Sequence, residues 1–470
     1  IDVQSLAEGE TLTRDITVTS ADGTASHTIT ITIVGANDPA DITVGEGAGD
    51  TDQGTVTEDG DSDNDVTTVQ TVGGKLDVTD VDHGEAVFQV QTNVADGNYG
   101  TFSIDADGNW TYVLNNSHID VQSLAEGETL TRDITVTSAD GTASHTITIT
   151  IVGANDPADI TVGEGAGDTD QGTVTEDGDS DNDVTTVQTV GGKLDVTDVD
   201  HGEAVFQVQT NVADGNYGTF SIDADGNWTY VLNNSHIDVQ SLAEGETLTR
   251  DITVTSADGT ASHTITITIV GANDPADITV GEGAGDTDQG TVTEDGDSDN
   301  DVTTVQTVGG KLDVTDVDHG EAVFQVQTNV ADGNYGTFSI DANGNWTYVL
   351  NNSHIDVQSL AEGETLTRDI TVTSADGTAS HTITITIVGT NDSPVITNDS
   401  TALSGNVVEA GNEDNGTTVA GTPTATGQLS ATDVDSDATQ TWSVQGTPNT
   451  TYGSFSVDAN GKWTYTLDNT

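Results

Sequence analysis

The 470-residue sequence contains no cysteine and no methionine, and only eight of its residues are lysine or arginine. Without cysteine the chain has no disulfide bond, no thiolate nucleophile and no thiolate metal ligand. No apolar run reaches the roughly 18 residues that a membrane-spanning helix requires, so no membrane-inserted segment is expected. With no initiating methionine there is no leader peptide to recognise, and the sequence is expected to be cut from a longer polypeptide.

Positive charge is the scarcest feature of the composition. Eighty aspartates and glutamates give the chain a formal net charge of −72 at pH 7. Such a charge repels nucleic-acid phosphates and anionic lipid surfaces, which excludes both classes of partner. A compact domain with this charge density repels itself, so bound cations are expected to balance it.

One short acidic segment recurs through the chain. "VGANDPADI" begins at Val34, Val152 and Val270, and returns as "VGTNDSPVI" at Val388, each time 118 positions later. A period of 118 residues is the size of a domain with its own core. The predicted domains are 1–36 as the C-terminal part of a repeat, 37–154, 155–272 and 273–390 as complete repeats, and 391–470 as a divergent repeat that lacks its C-terminal strands.

Strands with one buried face dominate each repeat. "HTITITIV" at 27–34 alternates polar and apolar residues, and it belongs to a hairpin over 15–31. "GTFSIDADGNWTYVL" at 100–114 predicts a second hairpin around the turn "DADGN". Shorter strands are predicted at 41–44, 55–57, 74–79 and 86–91, with no helical periodicity over three turns. The fold class is therefore all-β, a tandem array of immunoglobulin-like or cadherin-like β-sandwiches of about seven strands each.

Three acidic stretches in each repeat offer ligands for a hard divalent cation, which prefers several oxygen donors at once. Asp80 and Asp82 are two residues apart, so at the end of an extended strand both carboxylates face the same side and can share an ion. The alternative is that these acids are solvated loop residues that protect sheet edges from aggregation. The stretches of the first complete repeat are "VTED" with Glu58 and Asp59, "DVTDVDHGE" with Asp77, Asp80, Asp82 and Glu85, and the linker with Asn37, Asp38 and Asp41.

These motifs together resemble a known family. "TLTRDITVTSADGTASHTITITIVGANDPADI" is similar to the C-terminal half of a cadherin repeat, and "TDVDHGE" to the cadherin D-x-D loop. The whole unit looks like the VCBS repeat, a cadherin-like β-sandwich of giant repeats-in-toxin adhesins of Gram-negative bacteria. "GTVTEDGD", "GKLDVTDVD", "VQSLAEGETLT" and "TVTSADGTASHTITITIVGANDP" carry that resemblance, which covers essentially all 470 residues.

The resemblance implies calcium ions at each junction between repeats. In this pattern the domain before the junction supplies Asp22 and the linker as calcium ligands. The domain after the junction supplies Glu58, Asp80 and Asp82. Gly35 stands where the cadherin linker has its first aspartate, and "IDVQSLAEGE" differs in spacing from the cadherin L-D-x-E element. The full ligand set is Asp22, Asn37, Asp38, Asp41, Glu58, Asp77, Asp80, Asp82, Asp140, Asn155, Asp156, Asp159, Glu176, Asp195, Asp198, Asp200, Asp258, Asn273, Asp274, Asp277, Glu294, Asp313, Asp316, Asp318, Asp376, Asn391, Asp392, Glu409, Asp433 and Asp435.

The fourth junction is expected to bind with one carboxylate fewer, because Val395 replaces the counterpart of Asp41. "DADGN" at 105–109 imitates the start of a calcium loop but is interpreted as a plain hairpin turn. The ten histidines show no zinc-binding spacing, and Trp110 is interpreted as a core residue.

The functional prediction is a calcium-rigidified extender, secreted through a type I channel to the bacterial cell surface, that projects a distal binding domain for adhesion or biofilm formation. Near-identical copies add length, and no catalytic motif is present, so the protein is not expected to be an enzyme. Calcium and neighbouring repeats are the expected partners. Two alternatives stay open: a sandwich module that binds a sugar or protein, and a filament subunit completed head to tail by strand addition from another chain.

Overall fold

The structure is a computed structural model that describes residues 2–60, 68–178, 186–296 and 304–470. These residues fall into two compact units. One contains 2–60, 68–176, 186–236 and 247–269, and the other contains 177–178, 237–246, 270–296 and 304–470. No helix in the described ranges has the length and apolar character needed to cross a membrane.

The first complete repeat shows the architecture of the other two. It is preceded by a 3-10 turn at Val3–Ser5 and a hairpin of β1 (Thr11–Thr19) and β2 (Ser26–Val34). Its elements are β3 (Asp41–Thr43), β4 (Gln53–Thr57), β5 (Thr71–Lys75), β6 (Asp77–Thr79), β7 (Gln91–Asp96), β8 (Gly100–Ile104), β9 (Asn109–Leu114), α1 (Ile119–Gln122), β10 (Thr129–Thr137) and β11 (Ser144–Val152). Seven of these nine strands have five or more residues, in line with the seven expected.

The later repeats have the same elements at equivalent positions. The second has β12 (Asp159–Thr161), β13 (Gln171–Thr175), β14 (Thr189–Lys193), β15 (Asp195–Thr197), β16 (Gln209–Asp214), β17 (Gly218–Ile222), β18 (Asn227–Leu232), α2 (Ile237–Gln240), β19 (Thr247–Thr255) and β20 (Ser262–Val270). The third has β21 (Asp277–Thr279), β22 (Gln289–Thr293), β23 (Thr307–Lys311), β24 (Asp313–Thr315), β25 (Gln327–Asp332), β26 (Gly336–Ile340), β27 (Asn345–Leu350), α3 (Ile355–Gln358), β28 (Thr365–Thr373) and β29 (Ser380–Val388). The terminal unit has β30 (Val395–Ile396), β31 (Gly411–Asn412), β32 (Thr418–Val419), β33 (Thr424–Gln428), β34 (Ala431–Thr432), β35 (Asn449–Thr450), β36 (Gly453–Val457) and β37 (Lys462–Leu467).

Each complete repeat is built from two main sheets. In the first, a four-stranded antiparallel sheet has the order β5-β9-β8-β7, and a three-stranded sheet has the order β10-β11-β4. β4 runs parallel to β11, with Gln53 opposite Thr148 and Thr57 opposite Val152. A short β3–β6 pair completes the sandwich. The parallel pairing means that β4 and β11 end at the same end of the domain.

The alternating sequence of β11 sorts its side chains between core and solvent. Ile147, Ile149 and Ile151 are fully buried, because successive strand residues point to opposite faces. The facing sheet contributes its aromatic residues, and the Trp110 indole donates a hydrogen bond to the Thr51 carbonyl oxygen at 2.8 Å. Trp110 is 1% exposed, which confirms it as a core residue.

The "DADGN" segment forms the hairpin turn that the sequence predicted. Asp105 Oδ1 accepts hydrogen bonds from the backbone N–H groups of Asp107 and Asn109. Gly108 has a φ of +84°, and a Cβ there would overlap the Leu76 carbonyl oxygen, so glycine is required. The carboxylate of Asp105 therefore stabilises its own turn.

Two strand predictions and one helix differ from the structure. The strand expected at 86–91 lies at Gln91–Asp96, because Phe88 instead makes an isolated bridge to Ser138 that buries its ring. The strand expected at 74–79 is two strands, since buried Leu76 separates β5 from β6. The four-residue helix α1 was not predicted, because one turn is too short to show helical periodicity.

Ile149→Ala should destabilise the first complete repeat by about 2–5 kcal/mol, because it removes a fully buried side chain. Thr146→Ala on the exposed face of the same strand is the matched control and should change stability by about 0.5 kcal/mol or less. Native-state hydrogen exchange of the peptide 144–152 measures the effect within this repeat, because each substitution gives this peptide a mass that differs from those of its copies in the other repeats. Equal effects of the two variants would show that the alternation does not mark the core.

Candidate metal centres at the repeat junctions

Each linker begins with a glycine that packs against the domain before it. At the second junction, Gly153 donates a backbone hydrogen bond to the Glu128 carbonyl oxygen at 2.8 Å. A Cβ at Gly153 would overlap the carbonyl oxygens of Leu124 and Ala125. An aspartate at this position is therefore sterically excluded, which explains why the linker departs from the cadherin form. Gly35, Gly271 and Gly389 have the same surroundings.

The linker next docks onto the D-x-D loop of the following domain. The Asp156 backbone N–H donates to Asp200 Oδ2 at 2.9 Å, and the Asp200 N–H donates to Asp198 Oδ1 at 2.9 Å. Asn155 Nδ2 lies 3.4 Å from Asp258 Oδ2. Both aspartates of the Asp156–Asp200 pair are almost fully buried. The same backbone-to-carboxylate bond recurs between Asp38 and Asp82, Asp274 and Asp318, and Asp392 and Asp435.

Three carboxylates converge beside each of the first three linkers, and we call this group the acid cluster. In the second junction it consists of Asp198, Glu203 and Asp258, whose carboxylate oxygens all lie within 4.8 Å of one another. Asp198 and Glu203 come from the loop after β15, and Asp258 comes from the turn between β19 and β20. The equivalent clusters are Asp80, Glu85 and Asp140 at the first junction, and Asp316, Glu321 and Asp376 at the third.

Several oxygens of these acids are buried and have no hydrogen-bond partner. In the second junction they are Asp198 Oδ2, Asp200 Oδ1, Glu203 Oε2 and Asp258 Oδ1. A buried carboxylate oxygen with no donor is costly, and four together repel one another. Oxygen donors in this number are what a calcium ion selects, so the residues present fit such an ion. The first and third junctions repeat the feature with Asp80, Asp82, Glu85, Asp316, Asp318, Glu321 and Asp376.

Burial raises the pKa of the cluster glutamate and of the neighbouring buried aspartate, whereas burial is outweighed at Asp258 by hydrogen bonds from Ser256 and Thr260, which lower its pKa. Burial, followed by the charges of Asp200 and Asp198, raises the pKa of the Glu203 carboxyl. Burial is also the main cause that raises the pKa of Asp200 and Asp318. In the absence of a cation, these groups therefore favour a proton more than free carboxyls do.

A second acidic group sits at the end of the domain that precedes the second, third and fourth linkers. Glu58 is fully buried, and its two carboxylate oxygens accept hydrogen bonds from the Ala154 backbone N–H at 2.6 Å and Gln122 Nε2 at 2.9 Å. Burial, together with the charges of Asp156 and Asp200, raises its pKa to about 7 despite the Ala154 hydrogen bond. At the fourth junction Glu294 occupies the equivalent place and accepts from the Thr390 N–H. Glu176 is equally buried.

The expected assignment of acids to the two sides of a junction is wrong. Asp22 hydrogen-bonds Ser20 and Thr24 of its own turn and does not meet the linker that follows it. Its counterpart Asp140 meets Asn37 of the linker that precedes its domain, while Glu58 meets the linker that follows. Parallel pairing of β4 with β11 is the reason, since it puts Glu58 at the exit of the domain and the β10–β11 turn at the entrance.

The remaining predicted ligands divide into three outcomes. Asp77, Asp195 and Asp313 lie outside the clusters and form ion pairs with Lys75, Lys193 and Lys311. Asp41, Asp159 and Asp277 are exposed first residues of short strands and are not cluster members. Glu409 is also exposed, and the glutamate whose charge acts on Asp392 is Glu294. The predicted residues that the structure does bring together are Asn37, Asp38, Asp80, Asp82 and Asp140 with their equivalents.

At the fourth junction the acid missing from the D-x-D loop is the cluster glutamate, whereas the predicted loss, that of the counterpart of Asp41, falls on a position outside the clusters. The Ala438 N–H donates to the Asp435 carbonyl oxygen, as the Glu203 N–H does to that of Asp200, so alanine takes the place of the cluster glutamate. Asp392 Oδ2 and Asp435 Oδ1 are still buried without hydrogen-bond partners. Burial, followed by the charge of Glu294, raises the pKa of Asp392 to about 6.

Sequence reasoning missed two kinds of residue. Glu85, Glu203 and Glu321 were noted only as part of an acidic stretch, yet they complete the clusters. Their signal is the glycine just before them: Gly84, Gly202 and Gly320 have positive φ values that turn the chain back toward the aspartates. Gln122 and Gln358, which hold the buried Glu58 and Glu294, were not predicted because they belong to the unpredicted helices.

Comparison with known proteins identifies the repeats. The family model described as the bacterial cadherin-like domain matches residues 41–153, 159–271 and 277–389. The chain belongs to this bacterial cadherin-like domain family. The match confirms the cadherin-like resemblance and the all-β fold class. None of the curated proteins matches the chain in sequence.

Solved structures that are similar to the chain include animal-type cadherin ectodomains. The extracellular domain of protocadherin GammaB4 is 11% identical over 97% of this chain and 71% of that chain, with a TM-score of 0.39. Cadherin domains 1–5 of protocadherin Gamma B2 are 14% identical over 99% and 81%, with a TM-score of 0.39. The ectodomain of human desmocollin-1 is 15% identical over 96% and 78%, with a TM-score of 0.27. At these low scores the likeness carries no argument about function.

The raised pKa values predict how the cadherin-like repeats respond to pH without divalent ions. Glu58 has a pKa of about 7 and Asp392 of about 6 in the folded chain, above the values of 4.5 and 3.8 that are usual for glutamate and aspartate. The unfolded chain therefore loses these protons first, and stability should fall as pH rises from about 4 to 7 in chelator. Thermal unfolding in chelator at pH 5 and pH 7.5 measures this. A melting temperature that stays constant or rises would contradict the assigned burial.

Proposed function

We propose that the chain is a calcium-rigidified extender of a large bacterial surface adhesin, which projects a distal binding domain from the cell for adhesion or biofilm formation. The observation that supports this best is the row of buried, unpartnered carboxylate oxygens at successive junctions. These oxygens lie where one cadherin-like repeat meets the next, so an ion bound there acts on the junction. Repetition of nearly identical domains adds length, which is what an extender supplies.

Calcium is the cation that the donor set favours. Calcium takes six to eight oxygen ligands in flexible geometry, whereas magnesium requires a small octahedral site and keeps several waters. At the second junction, Asp198, Asp200, Glu203, Asp258 and the Asn155 side-chain oxygen would hold the ion. Glu58 and Asp156 offer further oxygens from the exit of the preceding domain. The absence of thiolate and of clustered imidazole ligands disfavours zinc.

The bound ion would supply positive charge that offsets mutual repulsion among these acids. Ions that bind only the folded state stabilise it by about 2.7 kcal/mol per site at a hundredfold excess over the dissociation constant. A chain with a net charge of −72 would therefore be less stable where calcium is scarce and would gain stability after export. This behaviour suits type I secretion to the cell surface, where calcium is plentiful, and it limits misfolding between near-identical neighbours.

We propose no catalytic role for the acids. At the second junction their neighbours are the Asp156 backbone and the Asn155 amide, not an open cleft that a substrate could enter. Three near-identical copies of the site also favour a structural role over an active site.

A ligand-binding role is the second candidate, and it rests on one feature of the terminal unit. A cavity of about 220 Å³ is lined by Pro394, Ile396, Ala431 and Trp442, among others. In the first complete repeat the corresponding aromatic residue, Phe88, is buried by its bridge to Ser138. Glycan-array or peptide binding by the full chain that Trp442→Ala abolishes would favour this role, and an absence of such binding would favour the extender.

Asp198→Asn should weaken calcium binding at the second junction about tenfold, or roughly 1.4 kcal/mol, because it removes a charged ligand from the acid cluster. Titration calorimetry on the full chain, with magnesium as a competing ion, measures the affinity and the number of ions. Thermal unfolding of the full chain should occur at a higher temperature in calcium than in chelator.

Asp225→Asn is the matched control for this substitution. It makes the same charge change on an exposed hairpin turn, and the third repeat already has asparagine there as Asn343. If Asp198→Asn and Asp225→Asn bind calcium equally well, or if calcium leaves the melting temperature unchanged, the acids are solvated surface residues and the extender proposal loses its support.

A further inference from the structure

At every junction, a backbone hydrogen bond joins one domain to the next without using the side chain of any candidate metal ligand. At the second junction the backbone N–H of His201 donates to the Ser123 carbonyl oxygen at 3.1 Å. Ser123 directly follows helix α1 of the preceding domain, and His201 follows the D-x-D loop of the next domain. The same bond joins His83 to Ser5, His319 to Ser241 and Ser436 to Ser359.

A glutamate from the preceding domain supports this bond. Glu128 Oε2 accepts from the Ala125 backbone N–H at 3.2 Å, which closes the turn after Ser123, and it lies 3.4 Å from His201 Nδ1. The side chains of His201 and Glu128 are 62% and 46% exposed, so their ion pair contributes little. The backbone bond and the closed turn are therefore the main parts of the contact.

The same turn also fixes the start of the linker. Gly127 donates to the Gly153 carbonyl oxygen at 3.1 Å, and Gly153 donates back to Glu128 at 2.8 Å. Two short backbone bonds thus hold the first linker residue against the turn that also contacts the next domain. The turn constrains the junction at both the linker and the following loop.

The fourth junction separates this contact from the acid cluster. There Ala438 replaces the cluster glutamate and Ser436 replaces the histidine, yet the Ser436 N–H still donates to the Ser359 carbonyl oxygen at 2.9 Å. Ser436 Oγ also donates to Glu364 Oε2 at 2.9 Å, so a hydroxyl takes over from the imidazole. The contact is retained where the acid cluster is reduced, which indicates that it does not depend on the cluster.

We propose that this contact, the junction brace, orients each domain relative to the one before it without a metal ion. The brace consists of the bond from residue 83, 201, 319 or 436 to the serine carbonyl and the glutamate-closed turn that follows the serine. Calcium then adds stability to a junction that already has a preferred orientation. The brace also keeps the D-x-D loop next to the linker, so the carboxylates are in position before the ion arrives.

The test uses the full chain, which has no cysteine of its own. Spin labels on Thr146→Cys and Thr229→Cys, both exposed strand residues, report the distance across the second junction by pulsed electron resonance. His201→Pro removes the donor N–H, and His201→Ala is the matched control that keeps it. Because the chain has five tryptophans, comparison with a Trp228→Phe version of each variant isolates the fluorescence of buried Trp228, which reports whether the domain after the junction stays folded.

In chelator, the parent and His201→Ala should each give one narrow distance distribution, and His201→Pro should lose the narrow peak while Trp228 fluorescence is unchanged. A parent distribution in chelator as broad as that of His201→Pro would overturn the proposal. So would an equally narrow distribution in all three variants, or unfolding of the parent in chelator.

A second pair of variants decides the matter if His201→Pro fails to fold. Glu128→Ala opens the turn, and Glu126→Ala removes the same charge from an exposed neighbour two residues away. Broadening in chelator by Glu128→Ala alone supports the brace, and identical distributions for the two overturn it. Calcium titration of the same samples keeps the result separate from the proposed function, because a brace can exist whether or not calcium binds.

Discussion

The structure of each junction depends on one interaction, the hydrogen bond from the linker backbone to a buried aspartate of the next domain. When the Asp156 N–H meets Asp200, the linker closes over the D-x-D loop and shields the remaining carboxylate oxygens from water. Those oxygens then have no hydrogen-bond donor among the residues that the structure describes. Burying negative charge in this way is costly unless a proton or a cation offsets it, so docking of the linker creates the site that the proposed calcium ion would occupy.

The parallel pairing of β4 with β11 determines which acidic residues lie at each end of a domain. It carries Glu58 to the exit of its domain, where the Ala154 N–H and Gln122 hold both of its oxygens. The β10–β11 turn lies at the entrance of the domain and supplies Asp140 to the linker before it. One domain thus contributes to two junctions through opposite ends, and a tandem array of such domains needs no separate connecting element.

Sequence patterns predicted the strands and turns whose structure depends only on residues close together in the sequence. The alternation in "HTITITIV" and the turn in "DADGN" indicate their strands because each residue's environment follows from its neighbours. The ligand grouping depends on pairing between strands that are about a hundred residues apart, such as Gln53 with Thr148, and no local pattern reports that pairing. Gly153 shows the same limit: the sequence marks it as a departure from the cadherin linker, but only packing against Leu124 and Ala125 explains it.

The exclusion of an aspartate at Gly153 bears on how an extender can be assembled. A cadherin-type linker with a ligand at that position would rely on an ion to hold the linker to the preceding domain. Here backbone bonds to Gly127 and Glu128 hold it, and the carboxylates are concentrated on the side of the following domain. If the acid clusters bind ions as proposed, replacement of the cluster glutamate by Ala438 would grade metal binding from junction to junction without detaching the linker. An array in which every junction relied only on ions would lose its order at the weakest site, whereas bonded linkers would keep each domain attached to its neighbour during ion exchange.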